Sequence, residues 1–223
     1  MLDFQGEMLC SLNASDISTF VVNGVNGLEI GAEVALDYSS GDHMKSKCIV
    51  VNMLDRDQAN FNKVLNQLKE RFGRAVFPFM LPANEGESFN QVVDILKKKM
   101  LTFKTDGSGA YDESDLSGDY TDSIPTLNEE FIELIAESDE ALLEKFFEDG
   151  ELSEDDIKGG LSAAILNGSV IPVFCSSSTG NIGVKRTLSS RGGSEPKYFD
   201  DVLGLIATND FKMNDPITIE EII

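Results

Sequence analysis

Short apolar runs alternate with longer amphipathic stretches over the first third of the chain. The runs ISTFVVN (residues 17–23) and CIVVN (residues 48–52) are too short for buried helices, and they predict buried strands. Apolar residues at helical spacing predict helices over residues 4–14, 29–38 and 57–72. Apolar strands that alternate with helices are typical of a mostly parallel sheet flanked by helices, so the pattern predicts an α/β fold.

A block with a different pattern interrupts this alternation. Shorter strands are predicted over residues 75–81 and 89–103, a polar loop over 106–120, and helices over 127–148 and 153–167. Ser153 and Asp156 form an acidic variant of the capping box at the start of the last helix. The run VIPVFC (residues 170–175) then returns to the buried-strand pattern. An inserted α+β subdomain, about residues 75–168, is therefore predicted.

Composition and charge narrow the classes of partner. The 223 residues are 41% hydrophobic, near the globular average, which excludes wholesale disorder. The net charge is −21, and because nucleic-acid binding needs clusters of Lys and Arg, free nucleic acid is excluded as a partner. No apolar run has the length of a membrane span and no signal peptide opens the chain, so we expect a cytoplasmic protein without a membrane partner.

Acidic residues are concentrated in the predicted insertion. Residues 106–157 contain 19 of the 39 acidic residues and a single basic one, Lys145. The same stretch carries apolar residues at helical spacing, so it predicts packed helices with an acidic outer face.

The cysteine content argues against two kinds of site. The three cysteines, Cys10, Cys48 and Cys175, are far apart in the sequence, and His43 is the one histidine of the chain. Neither a disulfide framework nor a zinc site is expected from this pattern. Each cysteine stands among apolar residues, so the favoured interpretation is a small buried hydrophobic side chain rather than a reactive thiol.

Candidate chemistry lies at the end of the second predicted strand. Asn52 and Asp55 follow it directly, at the edge where open α/β sheets bind nucleotides. A carboxylate there can accept hydrogen bonds from the ring N–H and the exocyclic amine of guanine, neither of which adenine offers in that position. On these residues alone, a strand-ending turn or a helix cap is the favoured interpretation.

The flanking sequence reverses that preference. Four segments follow one another in the order of a known family: VVNMLDRDQANFNKVLNQLKERFG, FPFMLPANEGESFNQVVDILKKKML, ESDEALLEKFFEDGELSEDDIKGGL and VIPVFCSSSTGNIGVKRTL. Together with the opening residues, from position 3 to about 188, they resemble elongation factor G of the translational GTPases. The resemblance implies a partial P-loop-NTPase-type G domain that begins in switch II (residues 1–74 and 169–188) and a G-prime-like insertion (75–168). Residues 189–223 diverge and stay unassigned.

The same resemblance implies a site for GTP or GDP. Asn52 and Asp55 match the guanine-recognition motif Asn-Lys-x-Asp, and Ser177 and Ser178 match the Ser-Ala loop that supports the base. Met53 replaces the lysine of the motif; its thioether can lie over a flat ring but supplies no cation.

Departures from the family bear on activity. The phosphate-binding pattern GxxxxGK[ST] occurs nowhere in the sequence. The resemblance puts the family's DxxG element before Met1. The ligands for the parent protein's Mg²⁺ are therefore expected to be absent from this chain as well. We therefore expect a fragment that hydrolyses nothing by itself, from a GTPase that promotes ribosomal translocation in protein synthesis. Its acidic insertion would face the ribosomal stalk protein or serve only as a solvated face. Two alternatives stay open: a non-catalytic acidic interaction module, and a ribosomal-protection relative.

Overall fold

A computed structural model describes residues 4–15, 17–40 and 46–184. The chain divides into two compact units, Met1–Gly183 and Val184–Ile223, and the described strands and helices lie in the first. The unassigned tail 189–223 and His43 lie outside the described residues. The elements run in chain order as α1 (Gln5–Asn13), β1 (Ser18–Asn23), α2 (Ile30–Tyr38), β2 (Lys47–Asn52), α3 (Phe61–Phe72), β3 (Val76–Pro78), β4 (Met80–Pro82), β5 (Gln91–Asp94), β6 (Lys99–Phe103), β7 (Tyr111–Asp115), α4 (Tyr120–Ala136), α5 (Glu140–Asp149), α6 (Glu154–Asn167) and β8 (Ile171–Cys175).

The first sheet is parallel, as the alternating pattern predicts. Its strand order is β1-β2-β8-β3, and each neighbouring pair is parallel. All five residues of β8 are buried, whereas β1 at the edge alternates buried and exposed residues and leaves Val21 61% exposed. Strand β3 lies past residue 75, the predicted start of the insertion, yet it belongs to this sheet. The predicted mixed α/β fold is confirmed, and the finer division into domains stays a prediction.

Helix α3 follows the strand that carries Asn52 and packs one apolar face on the sheet. It begins at Phe61 rather than at the predicted residue 57, because the Asn60 side chain accepts a hydrogen bond from the backbone N–H of Lys63 and caps the helix there. Phe61, Val64 and Leu68 are at most 1% exposed. The helix ends before Gly73, whose φ of 65° is disfavoured for residues with a side chain.

A second, antiparallel sheet follows with the strand order β4-β5-β6-β7. The predicted strand segments 75–81 and 89–103 each divide into two strands. Between β5 and β6 the chain turns at Lys98, whose φ is 54°. The predicted loop 106–120 is wrong in part, since β7 lies within it. Charge pairs across the sheet support β7: Lys97 contacts Glu113 at 3.0 Å and Lys99 contacts Asp115 at 2.6 Å.

Three helices, not the two predicted, complete the inserted region. The predicted helix 127–148 is interrupted at Asp139, whose side chain accepts hydrogen bonds from the N–H groups of Ala141 and Leu142 and so starts α5. The capping box predicted at Ser153 is confirmed at the start of α6: the Ser153 hydroxyl accepts from the Asp156 N–H, and the Asp156 carboxylate accepts from the Ser153 N–H.

Replacement of Asp156 by asparagine is expected to remove part of the pH dependence of stability. The Lys145 ammonium and the Ser153 hydroxyl hydrogen-bond the carboxylate and lower its pKa from 3.8 to about 2. A carboxylate with a lowered pKa stabilises the fold above its unfolded value, and this contribution is lost as the pH falls towards 2. The melting temperatures of the wild type and Asp156→Asn should therefore differ near neutral pH and converge on acidification. Asp155→Asn, which alters an exposed neighbour, should show no such convergence, and parallel curves for Asp156→Asn would contradict the prediction.

An aromatic cluster joins the inserted helices to the parallel sheet. The ring of Phe131 on α4 lies 5.0 Å from that of Phe77 on β3 and 5.4 Å from that of Phe79. Phe79 in turn lies 5.6 Å from Phe174 on β8. All four side chains are buried, so this cluster is an apolar contact between α4 and the sheet.

The three cysteines differ in environment. Cys175 is buried, and burial raises the pKa of its thiol well above the usual value. Cys48 is half-buried, whereas Cys10 is exposed, so the expectation of a buried side chain is wrong for Cys10. The reason is that α1 contains no buried residue.

Neither a membrane-spanning helix nor a metal-ligand cluster occurs in the described part of the chain. None of the described helices is both long enough and apolar enough to cross a membrane. Within residues 4–15, 17–40 and 46–184, no three His, Cys, Asp or Glu side chains come together in a way that could bind a metal ion.

Candidate functional site

Two loops meet at the carboxyl edge of the parallel sheet. One follows β2 and the other follows β8, and because these strands are neighbours with Val51 opposite Cys175, their ends lie side by side. Backbone hydrogen bonds continue past the strands: the Ser176 N–H donates to the Val51 carbonyl at 2.9 Å, and the Leu54 N–H donates to the Ser176 carbonyl at 3.3 Å. The predicted site residues are thus divided between two adjoining loops.

Asn52 ties the two loops together through its side chain. Its Oδ1 accepts hydrogen bonds from the backbone N–H of Ser178 at 2.9 Å, the Ser178 hydroxyl at 3.1 Å and the Ser176 hydroxyl at 3.2 Å. A backbone N–H can only donate, so it fixes Oδ1 on this side of the amide. The Nδ2 group, a donor of two hydrogen bonds, is then left without a partner among the described residues and is available to a ligand.

Asp55 presents a carboxylate that no described residue engages by a hydrogen bond or an ion pair. The residue is half-buried, and the neighbouring Leu54 side chain is fully buried and fixes the loop in the core. A carboxylate has four lone-pair sites, and burial without a partner costs free energy. Asp55 is therefore ready to accept the hydrogen bonds of a ligand that carries two adjacent donors.

Met53 adopts a backbone conformation that is unusual for a residue with a side chain. Its φ is 66°, in the left-handed region, and its carbonyl accepts a hydrogen bond from the Arg56 N–H at 3.1 Å. The side chain is 43% exposed. The turn thus presents a thioether at the surface beside the polar groups of Asn52 and Asp55.

The loop after β8 is held mainly by its own hydrogen bonds. Ser177 is fully buried; it exchanges backbone hydrogen bonds of 3.0 and 2.9 Å with Ile182, and its hydroxyl accepts from the Gly180 N–H at 3.0 Å. Gly183 ends the loop at a φ of 74°, and a Cβ there would lie 2.3 Å from the Cys175 carbonyl oxygen, so a side chain cannot be accommodated. The Ser177 hydroxyl is therefore occupied within the loop, and Ser178 is the exposed member of the pair.

These groups are candidates for contacts with a guanine base. The Asp55 carboxylate can accept from N1–H and the 2-amino group, while the Asn52 Nδ2 can donate to an acceptor on the base and Met53 can contact the ring. The Ser178 N–H is already donated to Asn52, so the loop after β8 contributes by fixing Asn52.

Contacts from the inserted region to these loops were missed by the sequence analysis. Glu85 Oε1 accepts a hydrogen bond from the Phe61 N–H at 2.6 Å, and the Gly86 N–H donates to the Leu54 carbonyl at 2.9 Å. On the other loop, the Asn181 Nδ2 donates to the Gly107 carbonyl at 3.2 Å. The sequence carries no local signal for them, because each joins residues more than 20 positions apart.

An open groove of about 570 Å³ lies elsewhere, between the end of α3 and α4. Lys69 and Arg74 lie on its basic side, and Glu130 and Glu133 lie on its acidic side. It shares no lining residue with the two loops, so it is separate from the candidate site.

Comparisons with known proteins identify the family of this chain. Residues 2–208 match the family described as the elongation factor Tu GTP binding domain, and the match continues past Leu188, where the resemblance is predicted to end. The crystal structure of ttk003000868 from Thermus thermophilus covers 83% of this chain at 26% sequence identity, with a TM-score of 0.75. This chain spans 27% of the length of that protein. Because the family match covers most of its residues, the chain belongs to the elongation factor Tu GTP-binding-domain family, and it is similar to part of the elongation factor G-like translational GTPases.

Proposed function

We propose that this chain is the guanine-reading part of an elongation factor G-like GTPase that promotes translocation on the ribosome. The observation that carries the proposal is the arrangement at the end of β2. Asn52 is fixed by three hydrogen bonds from the neighbouring loop, and the Asp55 carboxylate lacks a partner among the described residues. Family membership supports guanine-nucleotide binding, because the family is defined by a GTP-binding domain.

Phosphate binding, Mg²⁺ binding and hydrolysis are assigned to the longer parent protein. The 223-residue sequence contains no GxxxxGK[ST] pattern, whose backbone N–H groups and hydroxyl would hold the phosphates and the metal ion. The chain spans 27% of the length of the Thermus thermophilus protein, so a protein of that length has room for a phosphate site and further domains. The chain's own residues would bind and orient the base.

The acidic helices of the insertion are proposed as a docking face for the ribosomal stalk protein. Helix α5 contains no buried residue, and the first turn of α6 carries Glu154, Asp155 and Asp156. A surface with this excess of negative charge favours a basic partner and accelerates its association.

Calorimetric titration with GDP tests the proposal. The 223-residue chain should bind GDP with a dissociation constant in the millimolar range or weaker and show no GTP turnover, because it would contact the base and not the phosphates. The chain extended upstream in its coding sequence should bind GDP far more tightly and hydrolyse GTP when ribosomes are added. Submillimolar GDP binding together with GTP turnover by the 223-residue chain would overturn the proposal, and so would an extended chain that does not bind GDP.

A further inference from the structure

Two consecutive residues of the inserted region hold the two ends of the loop that carries Asp55. At one end, the Gly86 N–H donates to the Leu54 carbonyl at 2.9 Å, one residue before Asp55. At the other end, Glu85 Oε1 accepts from the Phe61 N–H at 2.6 Å, at the first residue of α3. The segment between β2 and α3 is therefore fixed from outside at both of its ends.

Glu85 supplies what the start of α3 lacks. The first N–H groups of a helix have no partner within the helix, and the Asn60 side chain satisfies only that of Lys63. The Glu85 carboxylate satisfies that of Phe61, and its negative charge is favourable at a helix N-terminus. A charge-assisted hydrogen bond from the insertion thus adds to the Asn60 cap at the first residue of α3, where the loop before the helix ends.

The inserted region also contacts the second loop of the site. The Asn181 Nδ2 donates to the Gly107 carbonyl at 3.2 Å. Gly109 approaches the same side chain so closely that a Cβ on it would lie 2.7 Å from the Asn181 Nδ2, and its φ is 68°. Both guanine-reading loops therefore touch the insertion, although no residue of the insertion belongs to the proposed base contacts.

Asp55 has no side-chain partner among the described residues, so its carboxylate takes its position from the backbone of the loop. We propose that Glu85 is a positioning residue for guanine selection, which acts through the segment Leu54–Phe61 and places Asp55 against the 2-amino group of the base. This inference rests on the proposed function. Glu85 itself does not touch the base. Through Glu85, the inserted region influences which base the site prefers.

The test compares guanosine and inosine monophosphates, because hypoxanthine lacks only the 2-amino group whose hydrogen bond Asp55 would accept. NMR titrations of the full chain measure both dissociation constants, and their ratio reports the placement of Asp55. The wild type should prefer the guanine nucleotide by roughly 10-fold. Glu85→Ala should lower that ratio at least ~3-fold, whereas Glu85→Gln, which keeps the acceptor oxygen, should retain most of it. Glu87→Ala removes an exposed acid two residues away and should leave the ratio unchanged.

The ratio of the two dissociation constants in the Glu85 variants decides whether Glu85 positions Asp55 or only supports the fold. Equal weakening of both nucleotides by Glu85→Ala, or an unchanged ratio, would show a merely structural role and overturn the inference. If the alanine variant does not fold, Glu85→Asp, which shortens the reach of the carboxylate, replaces it, and an unchanged ratio in that variant overturns the inference.

Asp55→Asn in the same titrations separates this inference from the proposed function. If it leaves the base preference unaltered, the proposed function fails and this inference fails with it. If it alters the preference while Glu85→Ala does not, only this inference fails.

Discussion

Replacement of Asp55 by asparagine is expected to change the base preference from guanine to xanthine. Guanine presents two donors on one edge, N1–H and the 2-amino group, and a carboxylate accepts both. Xanthine carries a carbonyl in place of the 2-amino group, so an amide can accept from N1–H and donate to that carbonyl. In the variant, the amide NH₂ and the 2-amino group would face each other as two donors, which removes a charge-assisted hydrogen bond and leaves both groups unpaired.

The effect should be large because the substitution weakens guanine binding and strengthens xanthine binding at the same time. Each hydrogen bond to a charged group contributes about 1.5–3 kcal/mol, so the ratio of guanosine to xanthosine monophosphate affinities should fall at least ~10-fold. NMR titrations with the two nucleotides measure this ratio. Asp57→Asn makes the same chemical change at an exposed position two residues away and should leave it unaltered. An equal loss of affinity for both bases in Asp55→Asn would show that Asp55 does not read the base.

The second large effect concerns stability. Truncation of Phe131 to alanine should lower the free energy of unfolding by about 3–5 kcal/mol, the usual cost of removing a buried phenyl ring. Phe131 is 2% exposed and contacts Phe77 and Phe79, so its loss opens a cavity between α4 and the parallel sheet. Because the free energy of unfolding of a domain is typically about 5–15 kcal/mol, much of the stability would be lost.

Urea unfolding followed by circular dichroism measures this change. Phe131→Leu keeps most of the apolar volume and should cost less than the alanine variant. Phe147→Ala is the matched control on a neighbouring helix, because its ring is 78% exposed and its removal should change stability by no more than ~0.5 kcal/mol. Equal free energies for Phe131→Ala and Phe147→Ala would mean that the aromatic cluster does not hold α4 on the sheet.

The strands that position the site could be predicted from their composition. The runs that form β2 and β8 are short, apolar and β-branched, and parallel strands bring their carboxyl ends to one edge of the sheet. The serines after β8 are assigned to the site only through the family resemblance; in the structure, hydrogen bonds from Ser176 and Ser178 to Asn52 join the two loops. The roles of these residues toward a base stay predictions.

Pairing between distant residues accounts for most of what the sequence analysis missed. Strand β7 lies in a segment rich in Gly, Ser and Asp, residues that favour loops. It forms by backbone pairing with β6, with Tyr111 against Phe103, and the ion pairs from Lys97 and Lys99 add to this pairing. Glu85 is a similar case. It accepts a hydrogen bond from the first residue of α3, which lies 24 positions earlier in the chain, so no local pattern predicts the contact. By contrast, Asp139 is a local N-cap signal, and the break before α5 could have been read from it.

At Met53, the charge of the side chain can change without a change in the backbone turn. Its φ of 66° is required by the turn that brings Asp55 to the strand end, and an unbranched side chain tolerates this conformation better than a β-branched one. Lysine, the residue of the family motif, and methionine are both unbranched at Cβ, so the exchange removes a positive charge while the turn can keep its shape. A change of charge at this position can therefore leave the backbone path to Asp55 as it is.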